Sequence, residues 1–332
     1  MPAIKAVYEQ RGPEPHSLIK AVTFDVEAPG PGQVLVELLA APINPSDLLT
    51  LTGDYGVLPD LPAVGGNEGV GKISALGAEV SGLAVGQTVL LPIGCGTWSS
   101  HLTLPANDLI PLPGQADPVQ LAMLTINPPT ASLLLSDIVT LSEGDWVIQN
   151  AANSAVGAYL IQLAASRGIK TVNVVRRESA IEAVKEVGGD VVVVDGPDLA
   201  KRVAEATGKA KIRLGIDAVG GEATERLAAC LTGGSTLANY GMMSGEPCQI
   251  SAGQLIFRGI TLKGFWLASW FRRATPDQQK ALFGDLIGKI ATGQLSAPVA
   301  GTYPLSRVAE ALEAAAQGER NGKILLVPDP AT

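Results

Sequence analysis

The stretch from Trp146 to Arg177 narrows the possible folds of this chain more than any other. Val147-Ile148 is a short apolar run with the composition of a buried strand. Small residues then make a tight turn. Ala155 to Ala165 is apolar almost all round, as expected of a helix pressed onto a sheet. Thr171 to Val175 is β-branched and apolar in character, a second strand. Strand, helix and strand form one βαβ unit, whose connection must be a right-handed crossover between parallel strands.

A turn of this kind sits where doubly wound folds hold a dinucleotide pyrophosphate on a helix N-terminus. The usual G-x-G-x-x-G is degraded here to Ala152, Ser154 and Gly157. Ala and Ser are small enough to let a ligand approach the backbone. An ordinary α/β crossover is the competing reading. The end of the second strand weighs against it. Where a chain selective for NAD places Asp or Glu, this one places Arg176 and Arg177. A guanidinium pair suits a 2′-phosphate and offers no acceptor to a free ribose, so the expectation is NADPH. The alternative is a solvated loop after a strand.

The chain has 332 residues, enough for two domains, with 46% hydrophobic and 17% charged residues. A net charge of −8 argues against nucleic acid or an anionic membrane as the main partner. Cys95, Cys230 and Cys248 are too far apart for a disulfide framework or a metal site and read as small hydrophobes. The opening Met-Pro-Ala-Ile-Lys lacks the charged-then-apolar run of a secretory signal, and no apolar stretch is long enough to span a bilayer. The expectation is a cytoplasmic protein with no membrane partner.

From Ala3 to about Leu124 the texture is all-β, dense in glycine and proline. Strands are expected at Ile4–Tyr8, Phe24–Val26, Gln33–Leu39 and Val64–Ile73, with a step at Leu83–Leu91, which suggests a partly closed barrel. The bare backbones within 64–73 imply close approach of other segments. Asn44-Pro-Ser-Asp47 opens a short helix with capping residues. From about Leu124 to about Gly264 strands and helices alternate, giving six parallel strands in a doubly wound sheet. A long helix, Pro276–Thr292, a strand at Gly301–Leu305, a capped helix at Ser306–Gln317 and a strand at Lys323–Val327 follow. This tail is expected to return to the β-rich domain. The expected division is 1–124 with 268–332, and 125–267.

Several longer words point to a family. They are Asn44-Pro-Ser-Asp47, Gly53-Asp-Tyr55-Gly, Leu61-Pro-Ala-Val-Gly-Gly-Asn67-Glu-Gly-Val70 and Gly96-Thr-Trp98. Asn127-Pro-Pro-Thr-Ala131, Val147 through Ser154, Asn173-Val-Val-Arg176, Tyr240-Gly-Met and Gly264-Phe-Trp-Leu267 with Trp270 continue the series. Over nearly the whole chain they resemble the mitochondrial-type 2-enoyl thioester reductases, a zinc-free branch of the medium-chain dehydrogenase/reductase superfamily. The resemblance implies an α/β protein, with a GroES-like, partly closed β-barrel catalytic domain and a Rossmann domain binding NADPH. It also implies a homodimer that pairs strand Ile260–Gly264 across two sheets. The zinc enzymes of the superfamily place Cys near Asn44-Pro45 and His at Asn67. Neither residue here can supply thiolate or imidazole, so no metal is expected.

The implied reaction passes hydride to the β-carbon of a trans-2-enoyl thioester, with a proton following at the α-carbon. Such a site needs a donor aimed at the developing enolate. Tyr55, between glycines in a loop, is the implied catalytic donor. Implied cofactor contacts are Asn127, Asn153, Ser154, Ala155, Val156, Arg176, Arg177, Tyr240, Met242, Met243, Phe265, Trp266, Leu267 and Lys323. Trp266, Trp270 and Asn44 are implied to line the substrate pocket. The implied partner is an acyl thioester of coenzyme A or of an acyl carrier protein. An NADPH:quinone reductase and a catalytically silent NADPH-binding protein are the rival readings.

Overall fold

The computed structural model describes residues 2–318 and 320–330. The first stretch of the chain carries β1 (Ala3–Tyr8), α1 (Pro15–Leu18), β2 (Ile19–Phe24), β3 (Gln33–Pro42), α2 (Pro45–Thr52), β4 (Ala63–Val64), β5 (Val70–Leu76) and β6 (Thr88–Leu90). Then come β7 (His101–Pro105), β8 (Ile110–Pro111), α3 (Pro118–Leu121), α4 (Asn127–Ser136), β9 (Trp146–Gln149), α5 (Ala155–Ser166), β10 (Lys170–Val175) and α6 (Ile181–Glu186). The alternation continues through β11 (Val191–Val194), α7 (Leu199–Ala206), β12 (Ile212–Asp217), α8 (Glu222–Cys230), β13 (Thr236–Asn239) and β14 (Thr261–Gly264). The chain ends with α9 (Leu267–Arg273), α10 (Pro276–Ala291), β15 (Val299–Pro304), α11 (Val308–Ala316) and β16 (Lys323–Val327).

Two compact units result, Met1–Ile126 with Asp285–Thr332, and Asn127–Gly284. The second boundary falls inside α10, later than the sequence suggested. Residues 268–284 belong with the second unit for aromatic reasons. Phe271 stacks on Phe283 with centroids 6.0 Å apart, and the Trp270 indole N–H donates to Asp137 at 3.2 Å.

In the first unit, among the described residues, one sheet runs β2-β1-β4. A larger one runs β15-β16-β3-β5-β6-β8, with β7 also paired to β3. The larger sheet is open along this path. Its core gathers Tyr8, Val36, Ile43, Leu51, Trp98, Leu312 and Leu326. Two expected strands differ. The strand expected at Phe24–Val26 ends at Phe24, because β1 begins at Ala3 and offers no partner beyond it. The strand expected at Val64–Ile73 splits into β4 and β5, because Gly65 and Gly66 pack on Trp98 and residues 68–69 on Thr97. A Cβ on Gly65 would lie 2.3 Å from that indole, so only glycine fits. The helix expected at Ser306 begins as a 3-10 turn, Leu305–Arg307, and becomes α-helical at Val308; Ser306 lies inside that turn and donates its hydroxyl to Asp329.

The chain's last strand closes this unit. β16 pairs antiparallel with β3, matching Leu325 to Pro42 and Leu326 to Ala41. Ile43 N–H donates to Ile324 C=O at 2.9 Å, so the same register carries Lys323 to the level of Asn44.

The second unit holds six parallel strands in the order β11-β10-β9-β12-β13-β14. The chain runs outward from β9 to β10 and β11, then crosses back past β9 to β12 and continues the other way to β14, so the strand order reverses beside β9. The carboxyl ends beside β9 are therefore the topological switch point, where such sheets bind ligands. α5 buries Ala155–Ile161 with Leu163 and Ala164, which explains its nearly all-apolar sequence.

Candidate active site

In the first unit, α2 presents Tyr55. The helix is eight residues long, too short to hold itself in water, so its ends must be anchored from outside. At its C-terminal end Gly53 adopts a left-handed φ of 97°. The amides of Gly53, Asp54 and Tyr55 all donate to Leu49 C=O, at 3.0, 2.9 and 3.1 Å. The half-buried Tyr55 thus sits on a turn hydrogen-bonded to α2.

The N-terminal end of α2 is held by a buried polar chain. Lys323 Nζ donates to Asn44 Oδ1 at 2.6 Å, and Asn44 Nδ2 donates to Glu68 Oε1 at 2.7 Å. Ile126 N–H donates to Glu68 Oε2 at 2.9 Å. Asn44 N–H donates to Asp47 Oδ2 at 2.7 Å, one half of a capping box. Asn67 Nδ2 donates to Asp47 Oδ1, also at 2.7 Å. Asn44, Asp47, Glu68 and Lys323 are all at most 5% exposed. Burial pushes Asp47 up to about 6, partly offset by bonds from Asn44 and by the Lys323 charge. Burial pushes Glu68 up to about 7 and Lys323 down to about 8. Asn44 was expected in the substrate pocket and Lys323 at the cofactor, and the structure brings them into one hydrogen bond. Sequence reasoning passed over Glu68 and Asp47 as chemistry. The Asn-x-x-Asp spacing of the cap was the available signal.

In the second unit, the candidate cofactor residues gather at the carboxyl ends of the strands. Ser154 caps α5, its hydroxyl accepting from Gly157 N–H at 3.1 Å. A Cβ on Gly157 would lie 2.4 Å from Ala152 C=O, so this glycine seats the helix against the turn. Asn153 lies on that turn, half-buried, and Ala155 and Val156 form the first buried turn of α5. The Tyr240 phenol is hydrogen-bonded to the Ser154 side chain, and burial raises its pKa. Past β10, Arg176 is exposed, and Arg177 Nε donates to Ser179 Oγ at 3.0 Å. Asn127 opens α4 and is buried. Met242 and Met243 are exposed beyond Tyr240. Phe265 N–H donates to Asn239 C=O at 2.8 Å, fixing the start of the Phe265–Leu267 segment beside β13. The Arg272 guanidinium lies 4.7 Å from the Trp266 ring centroid, a cation–π contact, so Trp266 is partly covered by its own segment.

One organising group escaped the sequence reading. Asp217 is fully buried at the end of β12. Its Oδ1 accepts from Asn150 Nδ2 at 2.7 Å, Val219 N at 2.9 Å and Gly220 N at 3.1 Å. Its Oδ2 accepts from Thr224 Oγ1 at 2.7 Å and Asn239 Nδ2 at 3.2 Å. Asn150 Oδ1 in turn accepts from Ala218 N–H at 2.7 Å. The carboxylate ties together the ends of β9, β12 and β13 around the switch point. An aspartate closing an apolar strand before Gly220-Gly221 was the signal.

Two family models match the chain, the alcohol dehydrogenase GroES-like domain over residues 30–114 and the zinc-binding dehydrogenase over 155–282. The mitochondrial enoyl-[acyl-carrier-protein] reductase of Bos taurus is 38% identical over 327 residues, which cover 96% of this chain and 87% of the relative. Among solved structures, the Etr1p complex with NADP and crotonyl-CoA matches with a TM-score of 0.88 and 25% identity, over 98% of this chain and all of the other. Etr1p is a mitochondrial 2-enoyl thioester reductase of Candida tropicalis. Escherichia coli quinone oxidoreductase complexed with NADPH matches with a TM-score of 0.86 and 26% identity, over 98% and 100% of the two chains.

A zinc ion, which the name of the second model implies, does not fit the residues present. At the position where the zinc enzymes put a thiolate, Asn44 is bonded to an ammonium and a carboxylate, and Asn67 donates to Asp47. Among the described residues no group of three or more His, Cys, Asp or Glu is arranged to hold a metal ion. The cytoplasmic expectation is corrected by the relatives, which are mitochondrial enzymes. A test for a secretory signal does not separate cytoplasm from mitochondrion. Among the described residues no helix is long and apolar enough to cross a membrane. With an open GroES-like sheet, a doubly wound sheet and 38% identity along almost its full length, the chain belongs to the enoyl-[acyl-carrier-protein] reductases of the medium-chain dehydrogenase/reductase superfamily.

Proposed function

We propose that this chain reduces the double bond of trans-2-enoyl thioesters with NADPH. The observation that carries the reading is the 38% identity to an enoyl reductase along 96% of the chain. The site supports it. The turn at Ala152–Gly157 leaves no room for a Cβ at Gly157, and α5 behind it is twelve residues long and capped by Ser154, an arrangement fitted to a pyrophosphate. NADPH, when bound, supplies the hydride. Arg176 and Arg177 would hold its 2′-phosphate. Asn127, Asn153, Ala155, Val156, Tyr240, Met242, Met243, Phe265, Leu267 and Lys323 would complete the cofactor's surroundings.

Tyr55 is the catalytic donor in this reading. Negative charge grows on the thioester oxygen as the β-carbon is reduced, and a phenol O–H held there stabilises it. Trp266, Trp270 and Asn44 are proposed to line the acyl pocket. The carrier is coenzyme A or an acyl carrier protein. The active form is proposed to be a homodimer. β14 ends its sheet with an unpaired edge, and beside it Ile256 and Phe257 are 71% and 87% exposed. Glu225 accepts from Ser251 and Gln254, and Arg258 binds the carbonyls of Ala228 and Leu231, so this apolar tip is held in place. Phe257→Asp is expected to convert dimer to monomer in sedimentation. An unchanged sedimentation coefficient would rule this edge out.

The likeness to an NADPH-bound quinone oxidoreductase favours quinone reduction as the second reading. Crotonyl-CoA and a quinone, each with NADPH, separate the two. Tyr55→Phe is expected to lower kcat on crotonyl-CoA by about 10²-fold with NADPH affinity unchanged. Turnover near wild type would remove Tyr55 from the reaction, and a quinone rate far above the enoyl rate would favour the second reading.

A further inference from the structure

The place a metal would take in the first unit is filled by a one-way chain of hydrogen bonds, and the chain ends on the helix that carries Tyr55. Lys323 donates to Asn44, and Asn44 donates to Glu68. Glu68 accepts again from Ile126 N–H. Asn44 also donates its own N–H to Asp47, which accepts from Asn67. Each of the bonds to Glu68 and Asp47 just named is donated to the carboxylate. The Asn44 amide has one orientation compatible with its neighbours, since a flip would point its NH2 at an ammonium and its oxygen at a carboxylate.

Such a cluster is an expensive way to hold a short helix. Burying two carboxylates and one ammonium costs several kcal/mol per ion before pairing offsets it. An apolar contact would hold the helix more cheaply, but it could not fix direction. At 1.5 Å per residue, α2 spans about 12 Å from the Asn44 cap to the Tyr55 turn. Any tilt at the clamped end is therefore passed to the phenol.

We infer that Glu68, through Asn44 and with Lys323 and Asp47, is a positioning residue for Tyr55, doing mechanically what a metal and its ligands do elsewhere in the superfamily. The inference rests on the enoyl-reductase reading. The charged and titratable groups facing the cluster are Asp47 on α2, Lys323 on β16, Arg320 ahead of β16 and Tyr8 on β1. Protonating Glu68 turns one oxygen into a donor and removes the charge that strengthens the bonds from Asn44 and Ile126. The clamp loosens as pH falls through the Glu68 range.

The test uses the full chain with NADPH and crotonyl-CoA, and compares Glu68→Gln, Tyr55→Phe and the double variant. Gln places an NH2 against a donor whichever way it turns. Glu68→Gln is expected to lower kcat by about 10- to 100-fold while the KM for NADPH stays within about twofold. In the double variant kcat is expected to match Tyr55→Phe alone, because the clamp acts only through the phenol. Lys323→Met removes the neighbouring cation and is expected to move the acidic limb of kcat to higher pH. A double variant a further tenfold below Tyr55→Phe, or a Glu68→Gln variant with wild-type kcat, overturns the inference. Wild-type kcat in Tyr55→Phe sinks the enoyl-reductase role of the phenol itself, a distinguishable result. If Glu68→Gln fails to fold, Asn67→Ala at the half-buried rim serves instead. It is expected to give about a threefold loss of kcat that disappears in the Tyr55→Phe background, and persistence of that loss would count against the clamp.

Discussion

The two units build their sites in opposite ways. In the second, one carboxylate, Asp217, is satisfied by neutral donors from three strand ends, and the cofactor turn is shaped by what is absent, a Cβ at Gly157. In the first, two carboxylates and an ammonium are buried together, and the residues that meet come from positions 44, 47, 68 and 323. The turn of the second site is local, with Ser154 and Gly157 three residues apart, and is set by sterics beside one carboxylate with neutral partners. The first site reaches across 279 residues for its cation and is set by charge. Sterics tolerate changes of pH and salt, whereas buried charges respond to protons.

The largest effect that would test this contrast is expected at Asp217. Asp217→Ala orphans five donors, three of them buried, and should cost about 3–5 kcal/mol, read as a fall in the denaturant midpoint with lost NADPH binding. Next comes the double variant Arg176→Ala/Arg177→Ala. Each charge-assisted bond to phosphate contributes about 1.5–3 kcal/mol, so NADPH should bind about 10²-fold more weakly while NADH binding is nearly unchanged. Equal losses for both cofactors would break the assignment of these arginines. Gly157→Ala forces a methyl against Ala152 C=O and should cost about 1–3 kcal/mol in thermal unfolding, with NADPH affinity falling alongside.

The smallest effect sharpens the contrast on the side of the first unit. Glu68 is raised in the folded chain, so the folded state holds its proton after the unfolded state has lost it. Wild-type stability relative to Glu68→Gln should therefore fall as pH rises from about 4.5 toward about 7, and then level off. Chemical denaturation across that range reads it. A rise over the same window would reverse the account of the cluster.

The same contrast explains what could be read in advance. Periodicity and β-branched runs located β16 to the residue, β10 to within one and the centre of β9, because each is a short apolar run bounded by turn residues. The six-strand parallel sheet followed from their alternation. The break at Gly65–Gly69 was hidden because its cause, Thr97-Trp98, lies thirty residues away. Ser306 reads as a helix cap until Asp329 takes its hydroxyl. Asn44 and Lys323 each carried a role, yet their contact spans 279 residues and emerges only from the register of β16 on β3. Asp217 had a local signal, the apolar strand it closes before Gly220-Gly221, but Asn150 and Asn239 reach it from 67 and 22 residues away, and that convergence is not written locally.

That register has a consequence for the order of folding. Lys323 follows Asn44 by 279 residues, with all of the second unit between them. Until β16 docks on β3, Asp47 and Glu68 have no cation to meet them and the Tyr55 turn lacks its anchor. Closure of this half of the enzyme should thus come late in refolding, with β9 and β10 protected from hydrogen exchange before α2 is.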